Sequence, residues 1–128
     1  MQYYISKMLD LPYAQAVERA VEELKKEGFG ILTEIDVKAT LKKKLDLDFR
    51  PYVILGACNP PLAHRAIEAE DKIGTLLPCN VMVQELAAGK AEVAVMDPGI
   101  MAELSGNPAL AEIATEVRGR LLRVIAAL

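Results

Sequence analysis

The chain has 128 residues, with 18 acidic and 15 basic side chains and a formal net charge of −3. This length suits a single domain over residues 1–128, and an apolar content of 52% is enough to build a hydrophobic core. The acidic balance, without basic clusters interleaved with aromatic residues, argues against nucleic-acid binding. The longest apolar stretch, Tyr52–Cys58, is far shorter than the roughly 20 residues of a membrane-spanning helix, so we expect no membrane segment.

The first half of the chain predicts a strand, a helix, a second strand and a short helix. Residues 3–7 suit a short strand, and a helix with apolar residues on one face follows Pro12 and ends at Gly28. Residues 29–37 alternate apolar and polar side chains, which is typical of a half-buried strand. Asp36 is expected to cap a short helix after it.

The second half predicts three more strands. Tyr52–Cys58 has no polar face, so we expect cover on both sides, from helices on one and from a partner subunit on the other. Asn59 is expected to cap a helix that runs to about Glu70. Residues 79–86 and 91–96 suit a β-hairpin.

The last helix is predicted to start at Asn107 and Pro108 and carries the clearest amphipathic pattern. Together the elements predict an α+β fold: an antiparallel five-strand sheet in a β-α-β4-α arrangement, with short inserted helices and a long C-terminal helix packed on the sheet. The residues expected to face inward from the last helix are Leu110, Ile113, Ala114, Val117, Leu121, Val124, Ile125 and Leu128.

Five residues near strand ends and helix starts form a candidate site. If the strands that end at Cys58 and begin at Cys79 are antiparallel neighbours, both thiols lie at one end of the sheet, with His64 near that end. Asn59 and Asn80 follow the two cysteines directly and are candidate polar anchors of a pocket. An imidazole can act as acid or base there only if a thiol or a ligand comes within its reach.

The same five residues also have structural interpretations. Buried cysteine usually behaves as a small hydrophobic side chain. Asn59 suits a helix cap, Asn80 a buried amide that satisfies loop backbone, and His64 a helix-surface residue. On this alternative the chain is a structural or interaction module, and these residues only stabilise loops.

Neither a cofactor nor a reaction follows from the sequence. Cys58, His64 and Cys79 have the ligand types of an open zinc site, but their spacing is not a recognised pattern, so they are weak metal candidates. Two prolines, Pro60 and Pro61, remove backbone donors that a phosphate would need at that helix start. Whether the protein is an enzyme stays open.

Four motifs together resemble a known family. They are EGFGILTEIDV at residues 27–37, GACNPPLAH at 56–64, LLPCNV at 76–81 and VMDP at 95–98. They are similar to the domain of unknown function 302 family of bacteria and archaea. The resemblance implies a TATA-binding-protein-like α+β domain that is often dimeric, and it brings no known activity.

The leading prediction is a small cytoplasmic homodimer. We expect cytoplasmic residence because the N-terminus lacks an export pattern, and there the two cysteines are expected to be free thiols. The fold implied by the resemblance often leaves a cavity between the sheet and the long helix, which suits a small apolar or amphipathic ligand. A small-molecule or thiol-based site around Cys58, His64 and Cys79 is therefore predicted.

Overall fold

The computed structural model describes residues 2–128. The β-strands are β1 (Tyr4–Leu9), β2 (Gly30–Asp36), β3 (Tyr52–Cys58), β4 (Cys79–Ala87) and β5 (Lys90–Met96). The helices are α1 (Tyr13–Lys26), α2 (Val37–Leu45), α3 (Pro60–Ala69), α4 (Gly99–Ser105) and α5 (Pro108–Ala127), and a 3₁₀ helix spans Asp71–Leu76. No helix among the described residues combines the length and the apolar character of a membrane span.

The five strands form one sheet in the order β1-β5-β4-β3-β2, and every neighbouring pair is antiparallel. A tight turn joins β4 to β5, while the longer connections carry the helices. The predicted α+β fold, with its β-α-β4-α order and long C-terminal helix, is therefore confirmed. Because β3 and β4 are antiparallel neighbours, the end of β3 and the start of β4 lie at the same end of the sheet.

One face of the sheet is covered by helices and forms the core. Alternate residues of the three central strands are buried on this face, as expected when side chains alternate across a strand. Helices α1 and α5 pack over them, and α3 packs against α5. The apolar stripe predicted for α5 is buried at Leu110, Ile113, Ala114, Val117, Leu121, Val124 and Ile125.

The opposite face of the sheet, here called the open face, is only partly covered. Its central row follows from the strand register and contains Ser6, Ala94, Met82, Ile54 and Ile35. Ile35 is 48% exposed, whereas Met82 and Ile54 are half-buried and Ala94 is buried. Tyr52–Cys58 was expected to be covered on both sides. The helices cover one side fully, and the other side is only partly covered.

Three helices begin at the predicted positions with a side-chain cap. Asp36 accepts a hydrogen bond from the backbone N–H of Ala39, and Asn107 accepts one from Ala109. The Asn59 side chain caps α3 in the same way. These caps fix where the helices leave the strands, and the Asn59 cap fixes the start of α3 directly after Cys58.

Candidate functional site

A cavity of about 290 Å³ lies where the end of β3, the start of β4 and helices α3, α4 and α5 meet. This volume is about twice that of an engineered protein cavity that binds benzene. Leu32 and Ile67, both substantially exposed, lie at its rim. Its lining residues are Phe29, Leu32, Ala57, Cys58, Asn59, Leu62, Ala63, Ala66, Ile67, Leu77, Pro78, Cys79, Met101, Ile113 and Val117.

Within residues 2–128, no acidic or basic side chain lines the cavity. Cys58, Asn59 and Cys79 are the lining residues that carry thiol or amide groups, and the rest of the lining is apolar. A buried charge without a partner is costly, so this wall favours an uncharged occupant.

Both cysteines line this cavity, but side chains alternate along β3, so the Cys79 thiol lies on the helical face with Ala57 and the Cys58 thiol projects toward the open face. Cys58 is half-buried at the end of β3, and Cys79 is only 7% exposed at the start of β4. The register sets Cys79 opposite Ala57, so the two cysteines are diagonal neighbours on adjacent strands. With ordinary strand spacing and rise, their Cα atoms are about 6 Å apart. Both cysteines are free.

The environment of the thiols keeps them protonated. Burial, and to a smaller extent a negative charge on nearby Cys58, raises the pKa of the Cys79 thiol to about 11. Burial also raises the pKa of Cys58. At neutral pH both side chains are therefore uncharged thiols, which are poor nucleophiles without a base beside them.

Asn59 is held rigidly and has a structural role. It is 8% exposed, its Oδ1 accepts a hydrogen bond from the Leu62 N–H at 3.4 Å, and its Nδ2 lies 3.5 Å from the Glu27 carbonyl oxygen. Arg120 Nη1 donates to the same carbonyl at 2.9 Å. Asn59 thereby connects the start of α3 to the chain that follows α1, which supports the interpretation of this residue as a cap.

Gly28 and Gly56 create space for this arrangement. Gly28 has a positive φ of 86°, and a Cβ there would lie 2.8 Å from Asn59 Nδ2. A Cβ on Gly56 would collide with Thr33 Oγ1 and lie 2.9 Å from Pro78 Cγ. The glycines of the EGFG and GACNPPLAH motifs therefore allow Asn59 and Pro78 to lie against the strands that form the cavity wall.

His64 does not line the cavity. Leu62 and Ala66 are the buried residues of α3, and a helix turn of 3.6 residues places His64 on its outer face. The His64 side chain is 75% exposed, and its Nε2 lies 3.3 Å from Glu68 Oε1 one turn along the helix. The expected position of His64 beside a thiol is not found, because Leu62 and not His64 takes the inward-facing position.

Asn80 does not line the cavity either. Side chains alternate along β4, so Asn80 projects on the open face while Cys79 and Val81 are buried on the other side. The interpretation of Asn80 as a buried amide is wrong, since its side chain is exposed. Of the five candidate residues, the cavity brings together Cys58, Asn59 and Cys79.

The three weak metal candidates are not assembled into a ligand set. Across residues 2–128, no three His, Cys, Asp or Glu side chains are grouped as metal ligands are. The position of His64 on the outer face of α3 separates the imidazole from the cavity that the two cysteines line.

Several cavity residues were not identified from the sequence. Ile113 and Val117 were predicted to face inward from α5, but their periodicity alone did not indicate a void beside them. Phe29, Leu77 and Met101 come from three further segments, and only the fold brings them to the same wall. The LLPCNV motif was a usable signal, because Leu77 and Pro78 directly precede Cys79.

The fold and the cavity define a small α+β protein with an uncharged, cysteine-containing pocket at one end of its sheet. The family model described as "Domain of unknown function DUF302" matches residues 5–128, and the chain belongs to this family. The structure is similar to the "Crystal structure of uncharacterized conserved protein DUF302 from Bacillus stearothermophilus". The TM-score is 0.90 at 31% sequence identity, over 99% of this chain and 98% of that chain. No curated protein matches the chain.

Proposed function

We propose that this protein binds a small, uncharged, mainly apolar molecule in the cavity between the sheet and helices α3 and α5. The observation that supports the proposal is the cavity itself. It has a volume of about 290 Å³, and no charged side chain among the described residues lines it. Ligand sites are commonly concave, mostly apolar and supplied with a few convergent polar groups. Here those groups are the Cys79 thiol and the Asn59 amide.

The volume of the cavity and the polarity of its lining indicate the class of ligand. A volume of this order accommodates one or two fused rings or a short branched chain, by comparison with the smaller cavity that holds benzene. Among the described residues, none in the wall offers a cationic partner to a carboxylate or phosphate, so an ionised group would have to remain at the solvent-facing rim.

Fluorescence titration with 1-aminoanthracene, a neutral aromatic probe, tests the proposal. Ala63 lines the cavity, and Ala63→Phe would occupy part of the space that the probe needs. We expect the variant to bind the probe at least about tenfold more weakly than the natural protein, a difference of ~1.4 kcal/mol.

Ala111→Phe is the matched control, because Ala111 lies on the exposed face of α5 and the substitution adds the same ring outside the cavity. Its affinity for the probe should equal that of the natural chain. Equal binding by all three proteins, with circular dichroism confirming that each is folded, would refute the cavity as the binding site.

We also propose that the chain works as a single domain and as a homodimer, with the open face as the interface. Apart from Ser6, the central row of this face is apolar, and contiguous exposed apolar patches on soluble proteins commonly mark interaction sites. Along β4, Asn80 lies two residues before Met82 and Gln84 lies two residues after it. A two-fold axis at Met82 would set Asn80 of one copy against Gln84 of the other, which makes the face self-complementary.

The same proposal includes a cytoplasmic location. Both cysteines, Cys58 and Cys79, are free thiols. Free thiols persist in a compartment that keeps cysteines reduced.

A further inference from the structure

We propose that the ligand of the cavity is a single apolar chain that enters between Leu32 on β2 and Ile67 on α3 and keeps an uncharged polar end at this entrance. This inference rests on the proposed binding function, because it concerns the same cavity. It names a narrower ligand class, a long-chain alcohol or an equivalent neutral molecule, in place of an apolar molecule in general.

The exposure of the lining residues locates the entrance. Leu32 is 66% exposed and Ile67 is 44% exposed, and both line the cavity. The other lining residues are buried or half-buried. Single exposed apolar residues are common on protein surfaces, but two at the rim of one cavity extend its apolar wall outward. A chain longer than the cavity would therefore stay in apolar contact where it leaves the protein.

The position of Leu32 in the sheet supports this entrance. β2 is an edge strand, and its register against β3 shifts between Ile31 and Thr33. The consecutive β3 residues Ala57 and Gly56 pair with Ile31 and Thr33, so Leu32 is an extra residue without a partner on β3. Such a bulge redirects a side chain out of the regular pairing, and bulges are frequent beside functional sites. Leu32 is therefore free to contact a ligand at the rim.

The interior of the cavity offers little to a polar end of the ligand. Asn59 Oδ1 already accepts a hydrogen bond from the Leu62 N–H, and Asn59 Nδ2 lies toward the Glu27 carbonyl oxygen. The buried Cys79 side chain carries a thiol, which is a weak hydrogen-bond donor and acceptor. A hydroxyl buried without a good partner is costly. The chain is therefore expected to enter with its apolar end first and to leave its hydroxyl in water at the entrance.

Competition of 1-alkanols against 1-aminoanthracene, measured by the fluorescence of the probe, tests the ligand class. Each CH₂ added between 1-pentanol and 1-decanol should tighten binding about fourfold, the effect of burying one methylene group. 1,10-Decanediol should bind at least about tenfold more weakly than 1-decanol, because its second hydroxyl would be buried against the apolar wall. A diol that binds as tightly as the alcohol would overturn the proposed orientation.

Leu32→Ser and Ile67→Ser test the entrance. Each variant should bind 1-pentanol within about twofold of the natural protein and 1-decanol about 4–15-fold more weakly, which corresponds to lost contact with one or two methylene groups. Leu104→Ser is the matched control, because Leu104 is also 66% exposed but is not among the residues that line this cavity. It should bind both alcohols as the natural protein does. Unchanged dependence on chain length in both entrance variants, with circular dichroism confirming their fold, would overturn the entrance.

Failure of this inference is distinguishable from failure of the proposed function. If 1-aminoanthracene binds the cavity but 1-pentanol and 1-decanol displace it at the same concentration, the chain-like ligand is wrong and the cavity still binds an apolar molecule. If Ala63→Phe binds the probe as tightly as the natural protein, the cavity is not the binding site and both proposals fail.

Discussion

At the scale of single residues, the contact between Gly28 and Asn59 explains two motifs at once. Gly28 lies in a backbone conformation with positive φ, and the Asn59 amide occupies the space in which any Cβ at position 28 would lie. The Asn59 side chain then caps α3 and approaches the Glu27 carbonyl. Residues 27–37 and 56–64 are therefore coupled by packing, although 18 residues lie between the two segments in the sequence.

The coupling predicts the effect of Gly28→Ala. A non-glycine residue with this φ costs about 1–2 kcal/mol, and overlap with Asn59 Nδ2 adds to that cost. Thermal or denaturant unfolding should therefore give a loss of stability about 1 kcal/mol greater than for Gly106→Ala. Gly106 is the matched control, because it also has positive φ but its Cβ would meet no atom within 4 Å.

A double-mutant cycle separates the Gly28–Asn59 contact from the backbone strain caused by Gly28→Ala alone. Asn59→Ser keeps a capping hydroxyl and is shorter than asparagine, so it should relieve part of the overlap created by Gly28→Ala. Strict additivity of the two stability losses would contradict the described contact. The sequence alone marked both residues, but only the fold reveals that one makes room for the other.

At the scale of the secondary-structure elements, the sequence predicted most of the fold. Hydrophobic periodicity located the five strands and the long helix α5, and short-range cap chemistry located the starts of α2, α3 and α5. The orientation of single side chains was harder. His64 lies about one turn into α3 and about 200° around the helix axis from the buried Leu62, so it faces outward, and the sequence pattern did not fix which face of this short helix is buried.

The open face of the sheet is the proposed dimer interface. Met82 lies at the centre of the open face, between Ala94 on β5 and Ile54 on β3. If this face joins two copies, a charge at Met82 would be buried without a partner in the dimer, while the monomer keeps it hydrated. Met82→Lys is therefore expected to dissociate the dimer without unfolding the chain.

Sedimentation velocity at micromolar concentration measures this effect. The natural protein should sediment as a dimer, Met82→Lys as a monomer, and Ala111→Lys, which adds the same charge to the exposed face of α5, as a dimer. A monomeric natural protein would contradict the dimer. A Met82→Lys variant that remains dimeric would place the interface elsewhere.

At the scale of the whole molecule, the cavity is a product of packing that no single segment encodes. Its wall combines residues from β2, β3, α3, the segment before β4, α4 and α5. Periodicity predicts that a residue such as Val117 faces inward, but it does not predict whether the facing side chains fill the space. For this reason the sequence placed Cys58, Asn59 and Cys79 at one end of the sheet, but it did not identify the other residues that line the pocket.

The most direct measurement of the central claim is a methyl NMR titration of the full chain with 1-aminoanthracene. The account predicts saturable shifts of the Leu62, Ile113 and Val117 methyl groups, which line the cavity. The methyl groups of Ile54 and Ile35 on the open face should keep their positions. Shifts confined to the open face, or no saturable shift at the cavity methyl groups, would contradict the claim that this cavity is the binding site.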